Sequence, residues 1–504
     1  MHTIVNALRR AERTAADREA LIGGEQRFTF RQFVSRCRRL GTLLSELQTA
    51  PGDRVAIIAF NSIPFVELYC GIPCAGRVQV PLNFRWADPE LAYALEDSGA
   101  RVLFIDRDPG PLTDLVDTVV RLDTDDYETR LAAAEEMEFD AGVGPDDLAG
   151  LFYTGGTTGA SKGVMLTHGN LIANAYNSQM FYPLGPGDVY QVIAPMFHAA
   201  GSNSVLQCIY QGVPQVLVPA FDPAAILDQI EAERVTATLG VPSMLAAQVE
   251  VQTAHPRDTS SLRVYIHGGS PIPTEVLRRA SQAFPGTELA QVYGATETAP
   301  LVTGLRFEEQ QLDDARVRSC GQQMLGVDIE IRRPDGTPSP FGEPGEVTAS
   351  GDNIMLGYWN KPDQTASVLR DGWYSTGDIG RLDEHGDLYL LDRSKDMIIS
   401  GGENVYCTEV EEAIYSHPAV LEAAVFGVPD DSWGEAVHAV VVSRDGFDLT
   451  AEEIIAHVRT SIAGYKVPRT VQLRNEELPK SGPGKVLKRE LRAPFWAAHD
   501  TTIN

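Results

Sequence analysis

The chain has 504 residues, 42 of them basic and 69 acidic, for a net charge of −27. That length exceeds what one hydrophobic core supports, so several domain-sized units are expected, and so acidic a surface repels polyanions and argues against nucleic acid as a partner. Hydrophobic residues at 43% and charged residues at 22% describe a globular chain rather than a disordered one.

The N-terminal "MHTIVNALRRAERTAADREA" lacks an apolar core with a cleavage site, and no stretch of about twenty residues is continuously apolar, the longest uncharged runs being broken by Gly, Pro, Asn, Gln and Ser. No transmembrane segment and a cytoplasmic location are therefore expected. Cys37, Cys70, Cys74, Cys208, Cys320 and Cys407 show no CxxC pairing and read as reduced thiols. Cys70 and Cys74, four apart in an apolar run, read as two small buried side chains on one helix face.

Phe30, Phe33, Val34, Cys37, Leu40, Leu43, Leu44 and Leu47 recur at steps of three and four, after a Thr29/Gln32 pair spaced as a capping box, which predicts an amphipathic helix. "DRVAIIAF" then reads as a strand buried on both faces, Asn61 and Ser62 open a helical stretch to Gly76, and "VQVPLN" reads as a second strand. The alternation continues through "ARVLFID", "VYQVIAPM", "VPQVLVPA", "VTATLGVP" and "RVYIHGG", with helical segments such as "DPAAILDQIEAER" and "PTEVLRRASQAF" between them. This predicts α/β layers with mostly parallel sheets, whose ligands sit beyond the carboxyl ends of the strands.

Near residue 330 the texture changes to short alternating strands with turn pairs at Asp335-Gly336 and His385-Gly386, which predicts a small antiparallel β subdomain. After Arg393 a helix, two strands, a second helix and "TVQLR" predict a separate α+β unit. The expected division is a large N-terminal domain over 1–393 and a small C-terminal domain over 394–504, with the boundary between Arg393 and Asp396.

The densest cluster of glycines and hydroxyls is "YTGGTTGASKG", Tyr153 to Gly163, which follows the apolar "LAGLFYT". Glycines let backbone N–H groups turn toward an anion, hydroxyls add donors and a lysine adds charge, so the composition suits a phosphate cradle. It is not the usual P-loop, because the lysine stands in Ser161-Lys162-Gly163 rather than directly after a glycine and before Ser/Thr. On composition alone a glycine loop with no ligand remains open.

The stretch resembles the glycine-, serine- and threonine-rich loop of the AMP-forming adenylating enzymes, which include acyl-CoA synthetases, firefly luciferase and peptide synthetase adenylation domains. The resemblance extends in order along nearly the whole chain: "PMFHAAG" at 195–201, "GGSP" at 268–271, "VYGATET" at 292–298, "GEVTASGDNIMLGYWN" at 345–360, "YSTGD" at 374–378, "DRSKDMIISGGENVY" at 392–406 and "PKSGPGK" at 479–485. It implies a layered α/β N-terminal domain with a mobile α+β C-terminal domain. It also implies a carboxylic acid:CoA ligase that uses MgATP and coenzyme A, with a homodimer as a family-level expectation. A carrier protein as acyl acceptor is the alternative.

The same resemblance implies residue roles. Lys485 would reach the carboxylate and α-phosphate oxygens, while Thr154, Gly155, Gly156, Thr157, Thr158, Gly159 and Lys162 would wrap the β- and γ-phosphates. Glu297 would associate with magnesium, with Thr296 beside it on phosphate. Tyr293 would stack on adenine, lined by Gly269, Ser270 and Pro271, with Gln291, Gly294 and Ala295 in the same wall. Asp378 would accept both ribose hydroxyls, backed by Arg393. Lys395 falls on the hinge, His198 on the mouth of the acyl pocket, and Gly401 and Gly402 on the thiol tunnel. Cys407 stands where the family usually has proline, an oxidisable thiol near the junction. Asn203, Gln207 and His267 are expected to offer the acid polar contacts, and no cation is expected to pair with a second carboxylate, so a medium-chain fatty or aromatic acid is favoured.

Overall fold

The computed structural model describes residues 2–139, 142–154, 161–307, 315–393, 396–430, 433–444, 446–480 and 486–497. The capping box forms as the sequence predicts: Gln32 N donates to Thr29 Oγ1 at 3.3 Å, and Thr29 N donates to Gln32 Oε1 at 2.8 Å. The helix Phe30–Glu46 buries its apolar stripe against the helix Ile63–Cys74, where both Cys70 and Cys74 are inaccessible.

Two large sheets carry most of the chain. The first has the strand order Gln322–Gln323, Thr303–Phe307, Glu288–Tyr293, Val264–Gly268, Ala237–Gly240, Tyr190–Val192, Gln215–Leu217, Glu19–Gly23 and Gln26–Thr29. Its six inner strands, Glu288–Tyr293 through Glu19–Gly23, run parallel. The second runs Gly357–Tyr358, Lys162–Thr167, Leu148–Thr154, Val78–Pro81, Arg54–Ile58, Val102–Ile105 and Thr118–Arg121. The predicted strand, helix, strand unit closes in parallel register, Arg54 opposite Val78.

The expected antiparallel region is also present. Val327–Arg332, Gly345–Gly351, Trp373–Leu382 and Leu388–Arg393 pair antiparallel, and Gly336 takes a left-handed φ of +83° at the predicted turn. A further sheet, built on the long hairpin Val420–Asp430 and Gly434–Ser443 with Thr470–Arg474 parallel to its second leg, has a core of its own. The molecule thus has a large N-terminal and a small C-terminal domain. Among the described residues no helix is long and apolar enough to cross a membrane.

The strand predicted in "VYQVIAPM" ends early, at Val192. Asn61, from the other large sheet, takes over: its Nδ2 donates to Ala194 O at 2.9 Å and its Oδ1 accepts from Met196 N at 2.8 Å. A side-chain amide thereby replaces a strand partner and aims Pro195–His198 at the site.

Candidate active site

A continuous cavity of about 3380 Å³ lies at the carboxyl ends of the parallel strands and extends to the small domain, several times the usual small-ligand pocket. The ends of three adjacent strands and the turns after them deliver Leu239 and Pro242, then Gly269, Ser270 and Pro271, then Tyr293, Gly294, Ala295, Thr296 and Glu297. Gly294 must lack a side chain, because a Cβ there would lie 1.7 Å from Pro300 O.

On one wall Tyr293 Oη donates to Asp378 Oδ2 at 2.7 Å, and Arg393 Nε stands 3.5 Å from Asp378 Oδ1. Asp378 and Arg393 are cross-strand partners in the antiparallel sheet, so the register itself makes the contact. Burial and the neighbouring carboxylate raise the Tyr293 phenol well above its ordinary pKa, so the hydroxyl remains a donor. Ser270, Pro271, Gln291 and Gly294 line the cavity alongside.

Opposite, Glu297 sits in a short 3₁₀ turn, Thr296–Thr298, and its Oε1 accepts from Tyr358 Oη at 2.9 Å. The Tyr358 ring lies 4.6 Å from Lys162 Nζ. Lys162 and Thr154 are paired at the loop end of a hairpin whose legs are Leu148–Thr154 and Lys162–Thr167. Gly155, Gly156, Thr157, Thr158 and Gly159 lie outside the described residues, as do Lys395 and Lys485. A lone carboxylate such as Glu297 suits magnesium, which takes one or two carboxylates and completes its shell with phosphate and water.

His198 lines the cavity and caps the short helix Ala199–Ser202, its Nδ1 accepting from Ala200 N at 3.2 Å. Of the polar residues expected beside it, Asn203 lines the cavity while Gln207 and His267 do not. Asn203 is buried, with Nδ2 donating to Tyr182 Oη and Oδ1 accepting from Asn174 at 2.7 Å; Gln207 donates to Tyr182 O at 2.9 Å. His267 is fully buried against Phe307, and burial pushes its pKa down to about 3.

What the sequence reading missed is a set of asparagines. Asn170, Asn174 and Asn177 share a buried face of the helix His168–Phe181. They bond respectively to Asp352 O and Ile354 O, to Leu301 N and Asn203, and to Gly326 N. Asn353 adds bonds from Nδ2 to Thr298 O at 2.7 Å and Leu301 O at 2.8 Å. The N-x3-N-x2-N spacing of helical neighbours was the available signal.

The small domain meets the large one through buried and part-buried polar contacts. Asp392 Oδ2 accepts from Cys407 N at 2.6 Å, at the start of the helix Cys407–Tyr415. Thr274 Oγ1 also donates across the junction to Glu412 at 3.0 Å, while within the small domain Lys488 Nζ bonds Glu411 Oε1 at 2.7 Å. Burial pushes the Asp392 carboxyl up to about 6 against the opposing pull of Lys488. Cys407 is not an exposed oxidisable thiol: it is buried, its Sγ donates to Asp396 O at 3.1 Å, and burial raises its pKa. Gly401 and Gly402 form a hairpin turn away from the cavity lining. Gly401 is required by its φ of +62° and by Trp433, whose ring would lie 2.5 Å from a Cβ.

These walls match a known arrangement. Residues 8–359 match the family described as AMP-binding enzyme, and residues 409–485 match the AMP-binding enzyme C-terminal domain. The chain belongs to the AMP-binding enzyme family. It is 41% identical over 495 residues to a feruloyl-CoA synthase of Amycolatopsis sp, covering 96% of this chain and 98% of that protein. Among solved structures, ATP-bound MatB from Rhodopseudomonas palustris superposes with a TM-score of 0.90 at 31% identity, covering 97% of this chain and 99% of that one. The o-succinylbenzoate coenzyme A synthetase MenE from Bacillus subtilis, in complex with ATP and magnesium ion, gives 0.87 at 31% identity over 96% and 99% of the two chains.

Proposed function

We propose that the protein is an AMP-forming carboxylic acid:CoA ligase, which activates a medium-chain fatty or aromatic acid as the acyl-adenylate and passes it to coenzyme A. The observation that carries this reading is the convergence of Tyr293, Asp378, Glu297 and Lys162 on one cavity that also runs along a mostly apolar wall to His198. The 41% identity to a feruloyl-CoA synthase supports the aromatic side of the substrate range.

In this reading Asp378 accepts the ribose hydroxyls, Tyr293 stacks on adenine against Gly269, Ser270 and Pro271, and Thr154, residues 155–159 and Lys162 hold the β- and γ-phosphates. Thr296 contacts phosphate and Glu297 orients the magnesium ion, which supplies charge neutralisation between the phosphates. Lys485 offsets the charge that accumulates as carboxylate oxygen approaches the α-phosphorus, the step in which two anions must meet. His198 shapes the acyl entrance as a neutral ring. The domains divide at 393/394 and pivot at Lys395, and Gly401 and Gly402 reach the thiol path after the pivot turns.

The test is pyrophosphate release from MgATP across aliphatic and aromatic acids, each with and without CoA. Acid-dependent release with an acyl-CoA product is the expected result. Release without any thioester would move the acceptor to a carrier protein, and no release with any acid would overturn the reading.

A further inference from the structure

Glu297 is held by one short segment at both its main chain and its side chain. Met355 N donates to Glu297 O at 2.9 Å, and three residues on, Tyr358 Oη donates to Glu297 Oε1 at 2.9 Å. The same segment is fastened to the outgoing leg of the phosphate-loop hairpin. Gly357 pairs with Met165 and Tyr358 with Val164, and Trp359 N donates to Gly163 O at 2.8 Å.

The position of Tyr358 is itself over-determined. Its N–H donates to Thr365 Oγ1 at 2.9 Å, and that hydroxyl donates to Lys361 O at 3.0 Å. Gly357, with φ of +142°, leaves the room Thr365 needs, since a Cβ there would lie 2.5 Å from Thr365 Cγ2. The ring is 5% exposed, with its face 4.6 Å from Lys162 Nζ. One aromatic side chain therefore stands between a cation and a carboxylate, offering a π face to the first and a hydroxyl proton to the second.

We propose that Tyr358 is a positioning residue, which presents Glu297 to the divalent cation of MgATP through its hydroxyl and Lys162 to the outer phosphates through its ring. The inference rests on the ligase reading above. Because the hydroxyl occupies Oε1, the second carboxylate oxygen is left to face the metal in a fixed orientation. Partners that orient a metal ligand in this way commonly change metal affinity by about 10- to 100-fold when removed. The ring acts on Lys162 independently, so the two contacts separate by substitution. Tyr358→Phe removes only the hydroxyl, whereas Tyr358→Leu removes the ring as well.

The experiment is calorimetric titration of a β,γ-imido ATP analogue into wild type, Tyr358→Phe and Tyr358→Leu over a series of magnesium concentrations, with AMP as the reference ligand. For Tyr358→Phe the magnesium concentration giving half-maximal analogue binding should rise about tenfold, while affinity at saturating magnesium stays within about twofold. Tyr358→Leu should in addition weaken the analogue at saturating magnesium by about fivefold, the worth of a partly desolvated cation–π contact. AMP, which lacks the outer phosphates, should bind all three alike. A Tyr358→Phe enzyme with the wild-type magnesium dependence would overturn the proposal, and so would equal losses for AMP and the analogue, the mark of a packing defect. A wild type with no magnesium-dependent analogue binding would instead sink the ligase reading.

Discussion

Tyr293 and Asp378, 85 residues apart in the chain, share a hydrogen bond of 2.7 Å across the cavity wall. It joins the residue read as the adenine platform to the residue read as the ribose acceptor before any nucleotide arrives. Asp378→Ala should therefore raise the KM for ATP by about 10- to 100-fold, as expected for hydrogen bonds to a charged group. The check is ATP–pyrophosphate exchange with ATP and 2′-deoxy-ATP. Wild type should distinguish the two nucleotides and the variant should not, and a variant that still distinguishes them would place the ribose elsewhere.

Lys485→Ala should slow adenylate formation by roughly 100- to 1,000-fold, the usual cost of removing one group aimed at developing charge. Thioester formation from preformed acyl-adenylate should be affected far less. Rapid-quench assays of the two half-reactions make the comparison, and equal losses would refute the assignment.

The described residues on either side of 481–485 are held by several bonds. Lys480 bonds Glu422 and Glu477, Leu487 N donates to Pro479 O at 2.7 Å, and Lys488 bonds Glu411. Glu411→Gln should weaken the last of these, a partly buried pair, and cost about 2 kcal/mol in stability, below the figure for a fully buried one. Adenylation should fall about tenfold in consequence, with the thioester step from preformed adenylate spared. Chemical denaturation and the same half-reaction assays provide the readout.

Asp392 gives a pH dependence whose sign follows from its burial. Burial lifts its carboxyl from the ordinary aspartate value of 3.8 to about 6 in the folded chain, so between those values the folded state holds more proton than the unfolded one. Stability from this group is therefore greatest at low pH and declines as pH rises from about 4 through 6, by up to about 3 kcal/mol. Asp392→Asn should abolish that contribution. Across this window the difference in unfolding free energy between wild type and variant should move in favour of wild type as pH falls, and a flat difference would count against it.

Asn353→Ala should strand two buried carbonyls, Thr298 O and Leu301 O, at about 1–3 kcal/mol each. Because those carbonyls belong to the turn that carries Thr296 and Glu297, the melting temperature and MgATP affinity should fall together. Thermal denaturation with and without MgATP would detect it.

The periodic parts of this molecule were legible in its residues. The Phe30–Glu46 stripe, the strand unit from Arg54 to Pro81 and the change to antiparallel pairing after residue 326 all follow local repeats that packing then reinforces. The walls of the cavity were legible only through motif resemblance. His267 shows the limit: a strand buried on both faces has no polar alternation to reveal which side is which, and this ring packs against Phe307 without lining the cavity. The asparagine spacing marked a polar helix face, but the partners of these supports were not legible. Asn61 reaches Ala194, Asn170 reaches Ile354 and Tyr358 reaches Glu297 across separations of 133, 184 and 61 residues, and no local pattern encodes such a bond.

The register that sets Arg393 opposite Asp378 ends two residues before the pivot assigned to Lys395. In the proposed reaction a ribose held by Asp378 would stay in place while its triphosphate becomes an acyl-adenylate and then AMP, so this contact would outlast every bond that is made or broken. On the proposed roles of Asp378 and Lys395, departure of the spent nucleotide is the event felt nearest the pivot, so product escape rather than thioester formation would reset each turnover.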